Sequence, residues 1–211
     1  MALFQKKFIT QSSAPLYTLG ANRTILVIGL GNPGRKYDGT RHNIGFGVLD
    51  DYAQNNSFPG WVAKKDLKSE LTIHRLGQNR VILAKPQTFM NNSGEAAAAV
   101  QHFYRVHNKD SLAVYDELAI PFGSLRSRLG GSDAGHNGVK SLIGQLGDDF
   151  GRLRIGIGSD KPINADTAGF VLKKFTKQEQ AQLPAIVREA GAMITEFIFS
   201  GQLPNDTRQV L

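Results

Sequence analysis

The feature that most constrains this chain is an apolar run ending in a glycine-rich turn: Thr24 to Phe46 reads TILVIGLGNPGRKYDGTRHNIGF. Thr24 to Leu30 is continuously apolar, the pattern of a strand covered on both faces inside an α/β sheet. Gly29, Gly31 and Gly34 then satisfy GxGxxG, the spacing of a phosphate-cradling turn. Three details oppose that use. Pro33 removes one backbone N–H and biases Asn32 toward extended backbone, so the turn presents a side chain. Arg35 to Arg41 is polar, contains Gly39 and has no helical period, so the third glycine opens no helix. The acids about 20 residues on, where a ribose-binding carboxylate belongs, are Asp50 and Asp51. They fall in HNIGFGVLDDYAQNN, where Ile44, Val48, Leu49 and Tyr52 follow helical spacing over about Asn43 to Asn55.

Composition narrows the function classes. With 41% apolar and 20% charged residues, 211 residues suffice for one well-buried core. The absence of cysteine excludes thiolate catalysis, disulfide scaffolds and zinc sites built from Cys. No apolar run approaches 18 residues, so no membrane-spanning helix is expected. The formal charge is +7, from 25 Lys and Arg against 18 Asp and Glu, which suits a polyanionic partner as well as a merely basic surface. Residues 1–22 contain no acid and several hydroxyl residues, but little arginine and no secretory apolar core. They read as a transit-like leader or a plain N-terminal extension, and the folded domain is expected over 23–211.

Further along, Ser69 to Leu76 alternates apolar and polar residues, Gly77 to Asn79 supplies a turn, and Arg80 to Ala84 is a short buried strand: a hairpin. A helix starts near Ser93, with Asn91 at its entrance. Ser111 to Tyr115 is a strand that ends in Asp116 and Glu117, which puts a carboxylate at a sheet edge. Ser124 to Leu129 alternates Leu with Arg and Ser. The glycine-rich loop GGSDAGHNG precedes a short helix, RLRIGIG is another strand, and Lys177 to about Phe199 forms a long amphipathic helix. The interleaving predicts a single α/β domain with a mixed, mostly parallel twisted sheet between helices.

Asn32, His42, Asn91, Asp116, His136 and Asn137 thus stand at element ends. Singly, such residues commonly serve as caps or turn formers. Together, GLGNPGRKYDGTRHNIG, KPQTFMNNSG, YDEL, GGSDAGHNG and RLRIGIG, in this order, resemble the signature segments of the bacterial-type peptidyl-tRNA hydrolase family, whose fold is a three-layer α/β/α domain. The resemblance runs from about Thr24 to the C-terminal helix.

The resemblance implies hydrolysis of the ester joining a peptide to the 3′-terminal ribose of tRNA, recycling tRNA released prematurely from ribosomes, with no metal and no cofactor. It assigns His42 as general base, a task suited to neutral imidazole. Asp116 is its supporting carboxylate and Asn32 a positioning amide, while Asn91 and Asn137 bind substrate or polarise the carbonyl. Amides both donate and accept, which suits a peptide recognised by its backbone. Tyr37 matches a substrate-contacting aromatic, though a packed loop tyrosine reads the same way. His136 is expected to line the site. Arg128 and Arg154 match a grip on tRNA phosphate, a task for which arginine has two parallel donors. Alternation puts Arg126 and Arg128 on one strand face, either a basic stripe or a solvated surface.

The implied partner is peptidyl-tRNA, through its terminal adenosine, acceptor-stem phosphates and peptide backbone. No membrane is implied, and the protein is expected as a monomer in the cytoplasm, or in mitochondria if the leader targets it there. The alternative is a noncatalytic RNA-binding member, such as an organellar intron splicing factor. Two positions depart from the common pattern, Ala119 in DELA and Ala134 in the glycine-rich loop, and neither removes a chemical group.

Overall fold

A computed structural model of the chain describes residues 22–158 and 166–211, which leaves all but the last residue of the expected leader outside the described residues. Strands β1 (Thr24–Gly29), β2 (Val62–Lys64), β3 (Ser69–Leu76), β4 (Asn79–Pro86), β5 (Ser111–Pro121), β6 (Ser124–Leu129), β7 (Gly151–Gly158) and β8 (Asp206–Gln209) form one sheet in the order β2-β3-β4-β1-β5-β7-β6-β8. The central strands β4, β1, β5 and β7 pair in parallel. Antiparallel strands extend the sheet on both flanks. The sheet is mixed, as expected, with its parallel part confined to the centre. The edge strands β2 and β8 have no apolar face to announce them in the sequence.

Helices α1 (Ile44–Asn55) and α5 (Lys177–Ser200) cover one face; α2 (Ser93–Tyr104) and α3 (Asn137–Leu146) cover the other. Strand β1 shows why its apolar run is unbroken. Ile25 and Val27 pack with Val48, Leu49, Ile186 and Phe197, while Leu26 and Ile28 pack with Ala97, Val100, Val139 and Leu142. A strand between two helical layers has no solvated side on which to place polar residues. A short helix, α4 (Thr167–Val171), precedes α5, whose start is fixed by a capping box between Thr176 and Glu179.

Two close approaches put the chemistry in place. A Cβ on Gly45 would stand 2.6 Å from the backbone N and O of Leu30 and would also strike the Val114 carbonyl, so glycine lets α1 rest on the ends of β1 and β5. The single turn Arg41–Asn43 leads directly into that helix, which sets His42 above the same strand ends. Gly94 plays the same part between α2 and α3, where a side chain would strike the Ser141 carbonyl.

Strand β5 departs from expectation. It continues through Asp116 to Pro121, with a register shift between Glu117 and Pro121. Asp116 therefore projects from within a paired strand; a polar DEL segment has no apolar signature with which to signal that the pairing continues.

Candidate active site

The site begins with one buried knot of backbone and amide groups. Asn32 N–H donates to Asn43 Oδ1 at 2.9 Å, and Asn43 Nδ2 donates to the Asn32 carbonyl at 2.9 Å. The Asn32 side chain reaches the other way: its Oδ1 accepts the Met90 N–H at 2.8 Å. One asparagine thus joins the glycine-rich turn, the His42 turn and the turn Met90–Asn92 at the entrance to α2. With Oδ1 occupied, the remaining amide atom of Asn32 is the donor Nδ2, which has no partner among the described residues.

Asp116 lies at the centre, 2% exposed. His42 Nδ1 stands 2.9 Å and 3.1 Å from its two carboxylate oxygens, and His136 Nε2 stands 3.1 Å from Oδ1. His136 Nδ1 accepts the N–H groups of Gly138 and Val139, at 3.1 and 3.3 Å, as the N-cap of α3. The neutral His136 ring accordingly carries its proton on Nε2 and donates it to Asp116. His42 donates from Nδ1 to the same carboxylate, leaving Nε2 with its lone pair. Burial pushes the Asp116 carboxyl up, but its interactions with His136 and His42, hydrogen bonds to both rings among them, outweigh burial and hold the group well below the usual carboxylate range.

These groups open on a cavity of about 350 Å³ lined by Asn32, His42, Asn91, Asp116, His136 and Asn137, with Phe89, Met90 and the α4 residues Thr167, Ala168, Val171 and Leu172. Six of the nine expected site residues are thus brought together. Tyr37 stands outside this lining and meets it edge-on through Phe89, ring centroids 6.4 Å apart. Arg128 and Arg154 lie away from the cavity, in a shallow cleft shared with Arg126. Across β6 and β7, Arg126 faces Arg154 and Arg128 faces Arg152, so the basic stripe is four arginines on one sheet face.

Arg152 is the member of this row that the sequence did not single out. It is 1% exposed, donates to the Ser132 carbonyl in the glycine-rich loop at 2.5 Å and has two nitrogens, Nε and Nη2, without hydrogen-bond partners among the described residues. It lies beside Tyr115, whose hydroxyl burial pushes up to about 12 against the pull of Arg152 and Arg154. Tyr115 in turn packs edge-on against His136 at 5.0 Å. Arg41 was also missed. Its guanidinium donates to the Lys174 carbonyl at 2.8 Å and to both oxygens of Glu179 at 3.0 and 2.7 Å, sandwiched by Phe170 and Phe175. In sequence, Arg41 and Asn43 carried only their position either side of His42.

His42, Asp116 and His136 also offer ligand atoms within 4.8 Å of one another, the spacing of a metal cradle. The hydrogen bonds account for the cluster differently. Both His136 nitrogens are committed, one to α3 and one to Asp116, and a cation would have to displace those bonds.

A buried carboxylate holding the tautomer of an imidazole, ringed by amides, is an arrangement for activating water at an acyl group. The family model for peptidyl-tRNA hydrolase matches residues 26–210. The chain belongs to the peptidyl-tRNA hydrolase family. A peptidyl-tRNA hydrolase from Nitratidesulfovibrio vulgaris is 44% identical over 186 residues, spanning 84% of this chain and 92% of the relative. The chloroplastic peptidyl-tRNA hydrolase of Arabidopsis thaliana is 46% identical over 160 residues, covering 75% of this chain and 54% of that protein. Among solved structures, the peptidyl-tRNA hydrolase of Acinetobacter baumannii superposes with a TM-score of 0.76 at 30% identity, covering 87% of this chain and 92% of the other. The three-layer arrangement implied by the signature segments is therefore shared with peptidyl-tRNA hydrolases across the length of the domain.

Proposed function

We propose that this chain hydrolyses the ester between peptide and tRNA, with His42 as general base. The observation that carries the reading is the His42 and Asp116 pair: Nδ1 is held by the carboxylate at 2.9 Å, which leaves Nε2 as the proton acceptor at a cavity walled by three amides. Nε2 takes a proton from water as the water oxygen attacks the ester carbonyl. Asp116 stabilises the imidazolium that forms, the role of the carboxylate in a catalytic triad, with water in place of the serine. The tetrahedral intermediate then collapses, the bond from carbonyl carbon to the ribose 3′ oxygen breaks, and the imidazolium returns its proton to that oxygen. The products are a peptide carboxylate and free tRNA.

Asn91 supplies a donor to the developing oxyanion, Asn137 orients the water or a peptide carbonyl, and Asn32 Nδ2 holds the acyl group. A correctly aimed donor of this kind is worth roughly 3 kcal/mol of barrier. The arginine row would hold acceptor-stem phosphate, with Arg128 and Arg154 as its accessible members. Tyr37 and Phe89 form an aromatic edge on which the terminal adenine can stack. A noncatalytic RNA-binding role would leave the His42, Asp116 and His136 chain without a task, and the complete site favours turnover.

No described helix is long and apolar enough to cross a membrane. We place the protein as a monomer in a cytoplasmic translation system, with a mitochondrial setting tied to residues 1–22; imaging the full chain against a chain lacking them separates the two. The central test is release of peptide from purified peptidyl-tRNA. Wild-type protein should turn over, and His42→Ala should lose about 10³-fold in kcat. Equal, negligible rates for both would end the hydrolase reading.

A further inference from the structure

The pole of the sheet opposite the site carries a surface with no part in the chemistry described above. His42 stands above the ends of β1 and β5, whereas the starts of β1, β4 and β5 lie at the far pole, together with the end of α2. The surface there is built around Tyr104. The Arg80 guanidinium lies over its ring, 4.9 Å from the centroid, and Phe103 meets it edge-on at 4.9 Å. Phe103 is 65% exposed. A second exposed phenyl, Phe199 at the end of α5, lies over the turn between β3 and β4, where a Cβ on Gly77 would stand 3.2 Å from its ring.

The charges around these rings have one sign. Arg75 faces Arg80 across the ladder of β3 and β4, and residues directly opposite in an antiparallel pair share a face, so both project on the side of Tyr104. Arg105 follows Tyr104 in the chain, and all three arginines are exposed. Asp110, just before β5, is taken by Arg23. Arg75, Arg80 and Arg105 have no carboxylate partner among the described residues. Arg105 also holds a strained backbone: its φ is 54°, the left-handed position past the end of a helix that glycine or asparagine usually fills. A cation anywhere in the last turn would satisfy the helix dipole, so the dipole alone does not require an arginine at this position.

Guanidinium groups set around exposed aromatic rings are the parts of a single-stranded RNA site, in which bases stack on the rings and phosphates meet the charges. The place of the surface separates it from the ester. Helix α2 has 12 residues, about 18 Å of helix, between the cavity at Asn91 and Tyr104. The arginine row lies on β7 and β6, beyond β1 and β5 from the strands that carry Arg75 and Arg80. An RNA held at Arg75, Arg80 and Arg105 thus leaves both the cavity and the arginine row open.

We propose that this surface docks an unpaired RNA segment separate from the tRNA whose ester is cleaved, so that the protein holds a second RNA while it turns over. The separateness rests on the hydrolase reading above; the docking does not.

The test titrates a fluorescein-labelled, unstructured 12-nucleotide RNA of alternating A and C into the full chain, with an excess of unlabelled acceptor-stem hairpin RNA to fill the arginine row. The probe should bind in the presence of the hairpin, and F103A/F199A should weaken it by at least about fivefold. R75A/R105A should lower the slope of log affinity against log salt by about 1.4, the value for two phosphate contacts on a single strand. The kcat/KM for peptidyl-tRNA should be the same in all three proteins. Displacement of the probe by the hairpin, or an unchanged affinity in either double variant, overturns the proposal. A raised KM for peptidyl-tRNA in these variants also overturns it, by giving the surface to the substrate. Binding to phosphatidylserine vesicles without binding to the RNA overturns it in favour of a membrane. If no peptidyl-tRNA is cleaved but the probe binds with the expected losses, the hydrolase reading fails and the RNA surface stands.

Discussion

His136 and Asp116 are locked into a single proton arrangement. His136 Nε2 lies 3.1 Å from Asp116 Oδ1, and the other nitrogen of the ring already accepts two amide protons at the start of α3. A ring that accepts through Nδ1 must donate through Nε2, so capping the helix and orienting the carboxylate are one event. The helix therefore keys the carboxylate that in turn keys His42.

That double duty can be split by substitution. His136→Ala should remove the cap and the donor together, lowering stability by about 1 kcal/mol in urea denaturation and also lowering kcat. His136→Asn restores a capping acceptor but is too short to reach Asp116. It should recover the stability and leave kcat low. Recovery of both would show that the bond to Asp116 is idle.

Asp116→Asn tests the tautomer. An amide presents a donor where His42 needs an acceptor, so the imidazole is driven to protonate the wrong nitrogen; kcat should fall by about 10³-fold with KM nearly unchanged. Stability offers a second reading with a definite sign. The folded Asp116 carboxyl is held below its ordinary range, so its contribution is fully present above the unfolded carboxylate value near 4 and is lost as pH falls below it. The stability gap between wild type and Asp116→Asn should therefore narrow as urea titrations step from about pH 5 to pH 3. A gap that widens on acidification contradicts the assignment.

Arg41 joins the His42 turn to the segment leading into α5. Arg41→Lys keeps a charge but forfeits the two-pronged contact with Glu179 and the stacking between Phe170 and Phe175. A loss of about 2 kcal/mol is expected. Glu179→Gln should cost less, because an amide still accepts from the Thr176 N–H of the capping box. A double-mutant cycle should return a coupling of about 1 kcal/mol, and strict additivity would show that the contact contributes no pairwise stabilisation.

The sequence revealed those parts of the fold that rest on periodicity. The unbroken run of β1, the alternation in β3 and the amphipathic course of α5 each have one physical interpretation, and each element formed where expected. The candidate site groups were legible because a polar residue at an element end is conspicuous beside apolar sequence. What stayed hidden depends on contacts made across the chain. Asn43 has meaning only once Asn32 folds against it, and Arg152 reads as an ordinary strand residue until the register with β6 places Arg128 opposite. A second cavity, of about 690 Å³, likewise arises from four stretches of chain, 32–51, 70, 85–87 and 175–187, which no local pattern connects.

The arginine row supports the last prediction, because its members differ in reach. Arg128 and Arg154 are partly exposed and sit on the rim of the cleft, whereas Arg152 is buried beneath the glycine-rich loop. Arg128→Ala and Arg154→Ala should weaken tRNA binding and each lower the slope of log affinity against log salt by about one unit or less. Cleavage of short acyl-adenosine substrates, which lack the phosphates, should change little. Arg152→Met should behave in the opposite way. Replacing a buried charge that has two nitrogens unpartnered among the described residues with an apolar side chain of similar length should cost little stability. The Ser132 carbonyl, however, loses its donor, and the loop that carries His136 and Asn137 loosens. Short substrates should then be cleaved more slowly, with the salt slope of tRNA binding nearly unchanged; equal effects of all three substitutions on both substrates would contradict this division between phosphate contact and loop support.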